Sequence, residues 1–521
     1  MVDIPFNAKI RRIHELLFAA GATDILFVGG FVRDLALNVP SKDVDLEVYG
    51  LSYAQISAAL RPAFHIGQVG QSFSVIKVDN EIDLAIPRRE RKIGVGHCAF
   101  EVTPDSSMTF QEAASRRDFT VNAIGMRLDG SFCDPYDGLG DLKRGILRAP
   151  TERFCEDPLR VLRGMQFAAR FGFHMEARTV EFCRRVLPEF ETLSAERIYG
   201  ELEKWAVKGT WPEKGLDVLR ETGWITCFPE LARMTETPQD LKIHPEGDVW
   251  THTRQVCMAA AELAQSENLP DAQRLLLMFS ALLHDVGKPV TFRKNEDGTI
   301  SMPRHAEVGK KIAGEILSRL RAPISVMKAV QSLVGAHDFH AHREATPAHV
   351  RHLSVLLTPA NIRLWRLLAT ADAAGRGVWE NKMEKTREIK DVIKSETTEG
   401  VCEEKEPRTL EKVREGKEPR VSEKEGEGNF KVENVGARKS TVKLNFQEWV
   451  ELAREWGVLE KQPAPILLGR DLETLGILPG KQMGEILREA WIAQLDGIFT
   501  EHEAGMVWLR KRVGNGENGN E

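Results

Sequence analysis

Apolar residues Ile10, Ile13, Leu16 and Leu17 recur at helical spacing, and Gly21 ends the run, so the spacing predicts a helix over 8–20. Residues 24–28 (DILFV) read as a buried strand that runs through Gly29-Gly30 into a short helix. Residues 45–49 alternate with period two and predict a second strand. A hairpin is expected from 72–78 and 81–86 across Asp79-Asn80. Beyond Arg117 the apolar spacing becomes helical and stays so to about residue 375. The pattern is that of an α+β chain, a small β-sheet head followed by a mostly α-helical body.

One segment breaks this pattern. Residues 383–440 hold 14 Lys/Arg and 15 Asp/Glu, half of their 58 positions, and are read as a charged flexible insert. Apolar patterning returns with Trp449, Leu452 and Trp456, and 514–521 (GNGENGNE) reads as a disordered tail. The expected units are a head at 1–150, a helical neck at 151–235, a second helical unit at 236–382, the insert, a helical region at 441–513 and the tail.

Composition narrows the class. Lys+Arg 71 against Asp+Glu 77 gives a net charge of −6 over 521 residues, so the chain is not a basic coat for nucleic acid. Hydrophobic residues at 42% suffice for several cores. No run approaches the roughly 18 apolar residues of a membrane span, and 1–24 lacks an apolar signal segment, which argues against secretion. Seven scattered cysteines, none spaced C-x-x-C, fit a reducing cytoplasm.

Candidate chemistry starts at Gly29-Gly30-Phe31-Val32-Arg33-Asp34, where a strand-to-helix turn allows backbone N–H groups to approach a phosphate. A plain turn would look the same. Asp43-Val44-Asp45 follows, and on a strand i and i+2 share a face. Two carboxylates about 5 Å apart repel by roughly 3 kcal/mol at an effective dielectric of 20, and a divalent cation reverses the sign. Asp83 on the hairpin is a candidate third carboxylate. Arg117-Asp118 could bind sugar or phosphate, with a surface ion pair as the bland alternative. Asp157 and Arg160 flank Pro158 at i, i+3. An acceptor beside a donor fork matches the amino and ring-nitrogen edge shared by cytosine and adenine. Guanine and uracil present the reverse order, and such mismatches reject by factors of roughly 10⁴. An intrahelical ion pair is the alternative.

Residues 26–34 (LFVGGFVRD), 42–46 (KDVDL), 116–123 (RRDFTVNA) and 156–163 (EDPLRVLR) resemble the motifs of bacterial class II tRNA nucleotidyltransferases, the CCA-adding enzymes. Residues 88–92 with Gly94 and Gly96, 134–139, and Glu196-Arg197-Ile198 with Glu201 and Lys204 agree in order and spacing. The resemblance implies addition of C, C and A to tRNA from CTP and ATP. It places Mg²⁺ at Asp43 and Asp45, the triphosphate at Gly29, Gly30 and Arg33, the sugar at Arg117 and Asp118, and the base at Asp157 and Arg160, with Arg163 assisting. Bacterial poly(A) polymerases share this head and are the nearest rival, and enzymes adding only C or only A keep the same motifs.

A second constellation lies in the body. His252, His284-Asp285 and Asp372 follow the H…HD…D order and resemble the HD phosphohydrolase superfamily. Mixed imidazole and carboxylate ligands suit Mn, Ni, Co, Fe or Zn. His305 and His337 fall where two-metal members of that superfamily carry further histidines. The resemblance implies hydrolysis of phosphate esters such as 2′,3′-cyclic phosphates. Alternatively, the histidines belong to a helical body that only cradles tRNA, or the chain is a phosphohydrolase whose head binds nucleotide. Monomer and homodimer both stay open.

Overall fold

The computed structural model describes residues 8–40, 44–69, 75–92, 100–376 and 446–514. Asp43, the predicted strand residues 72–74, the insert 383–440 and residues 515–521 lie outside the described residues. Gly514, assigned above to the tail, instead ends a helix.

The head opens with α1 (Ala8–Ala19), β1 (Asp24–Val28), α2 (Gly30–Ala36), β2 (Val44–Tyr49) and α3 (Tyr53–Leu60). It continues through β3 (Ile66–Val69), β4 (Val75–Val78), β5 (Ile82–Ala85), β6 (Arg88–Lys92), β7 (Phe100–Pro104) and α4 (Phe110–Ala114), closing with β8 (Gly125–Met126), β9 (Phe132–Cys133) and α5 (Gly138–Arg144). Seven strands form one sheet in the order β3-β4-β5-β2-β1-β8-β9. The β2–β5 pair is parallel and every other pair in that sheet is antiparallel. The strand carrying Asp45 is therefore central, not an exposed edge.

Strict alternation along an antiparallel strand ordinarily leaves one face to solvent. Instead Leu46 and Val48 enter the main core while Tyr49 joins a second cluster with Leu26, Val28, Met108 and Ala113. Helix α4 and its approach cover the face that alternation alone leaves open. The expected hairpin turn forms at Asp79-Asn80, both with positive φ (50° and 61°), a conformation that Asp and Asn tolerate better than most.

The neck comprises α6 (Leu159–Phe171), α7 (Ala177–Arg185), α8 (Ala195–Lys208), α9 (Pro212–Glu221) and α10 (Pro229–Met234). Two buried tryptophans pin it. Trp205 Nε1 donates to Pro212 O at 3.0 Å and Trp224 Nε1 to Cys183 O at 2.9 Å, so neither polar tip is left unpaired in the core. The next helical unit runs from α11 (Val249–Ser266) and α12 (Asp271–Leu283) through α13 (Lys288–Thr291), α14 (His305–Arg319), α15 (Ile324–Ala336) and α16 (Pro347–Leu357) to α17 (Ile362–Ala374). Arg274 of α12 ties it to the neck by donating to Ala206 O and Gly209 O at 3.2 and 2.6 Å.

The C-terminal region contains α18 (Phe446–Glu455), α19 (Gly469–Glu473), α20 (Lys481–Asp496) and α21 (His502–Gly514). Trp449 of α18 packs against Trp365 and Phe339, while Leu467, Leu472, Ile486, Phe499 and Leu509 build a small core of their own. Among the described residues no helix is long and apolar enough to cross a membrane.

Candidate active site and metal centre

The first site is a cleft of about 540 Å³ where the sheet meets α6 and α8. Nine of the predicted residues line it: Gly29, Gly30, Arg33, Asp45, Arg117, Asp118, Asp157, Arg160 and Arg163. Gly29 has φ +71°, and a Cβ there would come within 3.2 Å of Arg117 Nη1 and 3.8 Å of Asp45 Oδ2. Only glycine leaves that space open to a ligand without strain. Asp83 does not line the cleft wall, but the parallel register makes it the direct partner of Asp45, so both carboxylates leave the same face on adjacent strands. Lys77 Nζ, 3.1 Å from Asp83, partly balances the pair. Hard carboxylate oxygens brought together in this way fit a divalent cation such as Mg²⁺.

The arginines are not loose. Arg33 is buried beneath the turn, donating to Asp34 Oδ1 from Nε (2.8 Å) and to Asn122 Oδ1 from Nη1 (2.6 Å), with Phe167 and Phe171 on its faces. Burial lowers its pKa, and Asp34 opposes that shift. Arg117 is held over Gly29 by buried Glu47, 3.5 Å away. Asp118 accepts from Asn122 Nδ2 and the Phe119 N–H on one oxygen and from Arg163 on the other, each near 2.8 Å. Burial alone would raise Asp118; Arg163 and Asn122 outweigh it and hold the carboxyl below its ordinary range.

Asp157 and Arg160 depart from the expected helical pair. Pro158 disfavours helical backbone at the residue before it, so Asp157 is extended (φ −129°, ψ 107°) and lies outside α6. Its Oδ1 accepts the Leu159 N–H, and its Oδ2 pairs with Arg197 of α8 at 3.0 Å. Arg160 donates to Arg153 O and Arg116 O, both at 2.7 Å. Acceptor and donor are thus braced separately, side by side on one wall, rather than neutralising each other.

The same cleft contains residues to which no role was given from sequence: Asn122, Gln166, Phe167, Arg170, Arg197, Lys204 and Lys208. A signal was present. Positions 160, 163, 166, 167 and 170 form one face of α6, and 197, 204 and 208 one face of α8.

The second site lies inside the helical unit, where all six predicted residues converge. His252 Nε2 is 3.0 Å from Asp372 Oδ1 and 3.4 Å from His284 Nε2. His305 Nε2 is 3.2 Å from His337 Nε2. Asp285 stands between the two groups. Its Oδ2 is 3.2 Å from His284 Nε2, and its Oδ1 is 3.5 and 3.7 Å from His305 and His337. Two donor sets, His252/His284/Asp372 and Asp285/His305/His337, each gather their ligand atoms within 4.8 Å. Lys288, three residues past Asp285 and buried, places Nζ 2.6 Å from Asp285 Oδ2 and donates to Gln239 at 2.7 Å.

Burial sets the electrostatics here. It opposes charge on His252, yet Asp372 and Glu246 push this imidazole up to about 9. Burial also pushes His337 down to about 4, reinforced by His284 and His305. Desolvation would raise Asp285, but His284 and Lys288 hold it well below the carboxylate range. Buried carboxylates interleaved with imidazole nitrogens form donor sets that could hold a divalent metal ion. Glu246, Lys288 and Arg376, the last reaching Asp372 at 3.3 Å, had no role assigned from sequence.

Comparison with known proteins finds three family matches along the chain. Residues 25–148 match the family described as Poly A polymerase head domain, 172–235 that described as probable RNA and SrmB-binding site of polymerase A, and 249–397 the HD domain. The multifunctional CCA protein of Nitrosococcus oceani is 34% identical over 372 residues, 69% of this chain and 86% of that relative. That of Actinobacillus pleuropneumoniae is 36% identical over 374 residues, 69% and 87% of the two chains. Among solved structures, the Bacillus stearothermophilus CCA-adding enzyme in complex with CTP aligns over 98% of this chain and 100% of its own (TM-score 0.58, 19% identity). The Thermotoga maritima CCA-adding enzyme complexed with tRNA aligns over 97% and 96% (TM-score 0.51, 16% identity). The last two are likenesses of fold, whereas the relatives share sequence through most of their length. The chain belongs to the family of multifunctional CCA proteins, with a poly(A)-polymerase-type head joined to an HD domain.

Proposed function

We propose that this chain adds C, C and A to the 3′ end of tRNA without a template, consuming CTP and ATP and releasing pyrophosphate. The observation that carries this reading is the cleft that gathers Asp45, whose ladder partner is Asp83, with the Gly29 turn and the separately braced Asp157 and Arg160. Nucleotide enters with its triphosphate along Gly29, Gly30 and Arg33, its sugar towards Arg117 and Asp118, and its base against Asp157 and Arg160, with Arg163 assisting. The Asp157 carboxylate accepts from the exocyclic amine of cytosine or adenine while Arg160 donates to the neighbouring ring nitrogen. The tRNA 3′-oxygen then forms a bond to the α-phosphorus as the bond to the leaving pyrophosphate breaks. Alignment and charge neutralisation account for the rate. Both families imply divalent-metal dependence. Asp43, Asp45 and Asp83 would hold Mg²⁺, which when bound supplies positive charge to the phosphates and the attacking oxygen.

In the HD domain we assign hydrolysis of phosphate esters, including 2′,3′-cyclic phosphates, to His252, His284, Asp285 and Asp372, with His305 and His337 holding a second ion. The donor set suits Mn, Ni, Co, Fe or Zn. We assign residues 441–513 to packing and tRNA support. Five free cysteines among the described residues support action in a reducing cytoplasm.

The test supplies tRNA lacking its terminal CCA with CTP, with ATP, or with both. Three defined additions are expected. A long A tract would make the chain a poly(A) polymerase, additions of one nucleotide type alone a divided C- or A-adding enzyme, and no incorporation a phosphohydrolase with a nucleotide-binding head. Asp45→Ala is expected to abolish incorporation while sparing ester hydrolysis, and Asp285→Ala to do the reverse. Normal incorporation by Asp45→Ala would sink the metal assignment in the head.

A further inference from the structure

Three of the four histidines in the HD core are oriented alike. The Nδ1 atoms of His284, His305 and His337 lie 2.9, 3.1 and 2.8 Å from the carbonyl oxygens of Ala281, Met302 and Val334, each three residues upstream. A proton held on Nδ1 leaves the Nε2 lone pair facing the centre. These carbonyls are free to accept because the histidines sit at helix ends, where main-chain groups lack intrahelical partners.

His252 has no such carbonyl. It is the fourth residue of α11, and the helix uses the upstream carbonyls for its own hydrogen bonds, with the His252 N–H itself taking Asp248 O at 3.1 Å. What lies beside His252 Nδ1 instead is Glu246 Oε1, 2.8 Å away but too far off the N–H direction for a hydrogen bond, so its hold on this nitrogen is that of a buried neighbouring charge. Glu246 is 1% exposed at its side chain, and the same oxygen accepts from His244 Nδ1 at 2.8 Å. Gly247, with φ +103°, turns the chain between Glu246 and the helix cap Asp248, whose carboxylate accepts the Thr251 N–H at 2.7 Å. A carboxylate is thereby delivered beneath the first turn of α11.

We propose that Glu246 is the positioning residue of the HD centre: its carboxylate keeps the proton of His252 on Nδ1, so that Nε2 is offered to the metal rather than protonated against Asp372. Both carboxylates compete for His252, Asp372 at Nε2 and Glu246 at Nδ1. Without Glu246 the imidazole turns its N–H towards Asp372, and a ligand is lost although every ligand residue remains. His244, on the far side of the same oxygen, fixes the rotamer of Glu246. This inference rests on the reading of the cluster as a metal centre.

The experiment titrates the metal-free full chain with Mn²⁺ and with Co²⁺, following heat for the first and the visible absorption of the bound ion for the second. Glu246→Gln preserves shape and an acceptor oxygen but removes the charge. Its affinity is expected to fall roughly 10- to 100-fold with a changed Co²⁺ spectrum, while the melting temperature of the metal-free chain stays within a degree of the parent. Glu246→Ala should fall at least as far, and His244→Phe by less. Equal affinity and spectrum in parent and Glu246→Gln would overturn the inference while leaving the metal centre standing. A parent that binds neither ion would remove the centre and the inference together. Loss of affinity matched by an equally large loss of melting temperature would reduce Glu246 to a packing residue and overturn the positioning role.

Discussion

Asp157 and Arg160 sit three positions apart, yet the residues that orient them come from elsewhere: Arg197 on α8 for the acid, main-chain carbonyls at 116 and 153 for the base. On the proposed reading of Asp157, Arg197 acts on base choice at one remove. Without it the Asp157 carboxylate keeps only the Leu159 N–H and is free to rotate off the position a base amine needs. The pair is partly exposed (28% and 25%), so the lower end of the charged hydrogen-bond range applies, about 1.5 kcal/mol or roughly tenfold. Arg197→Ala is expected to lower kcat/KM for CTP and ATP about tenfold, mainly through KM, and to raise the share of GTP incorporated. Single-nucleotide incorporation of CTP on tRNA ending in C and of ATP on tRNA ending in CC provides the reading, and unchanged discrimination would show that Asp157 needs no external brace. What the chain order discloses at this scale is chemistry packed into a few neighbours: the glycine pair, the alternate aspartates, His284-Asp285. What it hides are partners such as Arg197, forty residues from Asp157, or Glu246, whose part depends on its place before a helix cap.

At the scale of elements, close helix crossings set the geometry of the HD centre. Gly375 caps α17 where it meets α11, and a Cβ there would lie 2.5 Å from Val256 Cγ2 and 3.3 Å from His252 Cε1. Gly287 plays the same part for α14, since its Cβ would meet His305 O at 2.2 Å. Both glycines have ordinary negative φ, so their reason is contact and not conformation, and a single chain read alone offers no trace of it. Gly375→Ala is expected to push α11 and α17 apart at a cost of about 1–3 kcal/mol, abolishing ester hydrolysis while nucleotide incorporation continues. Both activities measured on one preparation check this. The sheet was more legible, because strands of period two and an Asp-Asn turn are local signals. The covering of its second face by α4 was not. Helix α1 offers a pH test. His14 is buried against Phe27, its Nε2 has no hydrogen-bond partner, and burial lowers its pKa from the ordinary 6.5. The unfolded chain therefore takes up this proton more readily. The stability it affects is complete above about pH 6.5 and is lost as pH falls towards the lower folded value. In His14→Phe the head's unfolding transition, followed by calorimetry between pH 7 and 5, should lose that part of its slope.

Across the whole molecule, a net charge of −6 sits uneasily with a polyanionic substrate until the charge is located. The cleft walls carry eight cationic side chains (Arg33, Arg117, Arg160, Arg163, Arg170, Arg197, Lys204 and Lys208) against three acidic ones (Asp45, Asp118 and Asp157). On the proposed function, a field concentrated in a concave site would steer an RNA end inward while the acidic remainder discourages non-productive binding elsewhere. Helix α8 carries this basic wall outward, since Lys204 and Lys208 lie one turn apart on the face that also bears Arg197. Lys204 is tethered to buried Glu201 at 2.8 Å, and Lys208 is exposed at the helix end. If Lys208 meets a tRNA phosphate, Lys208→Gln should weaken tRNA binding and flatten the log-affinity against log-salt line by about one. KM for tRNA should rise at constant kcat, because a contact kept through the reaction contributes equally to ground and transition states. Arg12 on the outer face of α1, already paired with Glu15 at 2.9 Å, is the matching control, and Arg12→Gln should leave the salt slope untouched. Equal slopes in Lys208→Gln and the parent would move the path of the acceptor stem off α8, and the surplus of cations in the cleft would then serve the triphosphate alone.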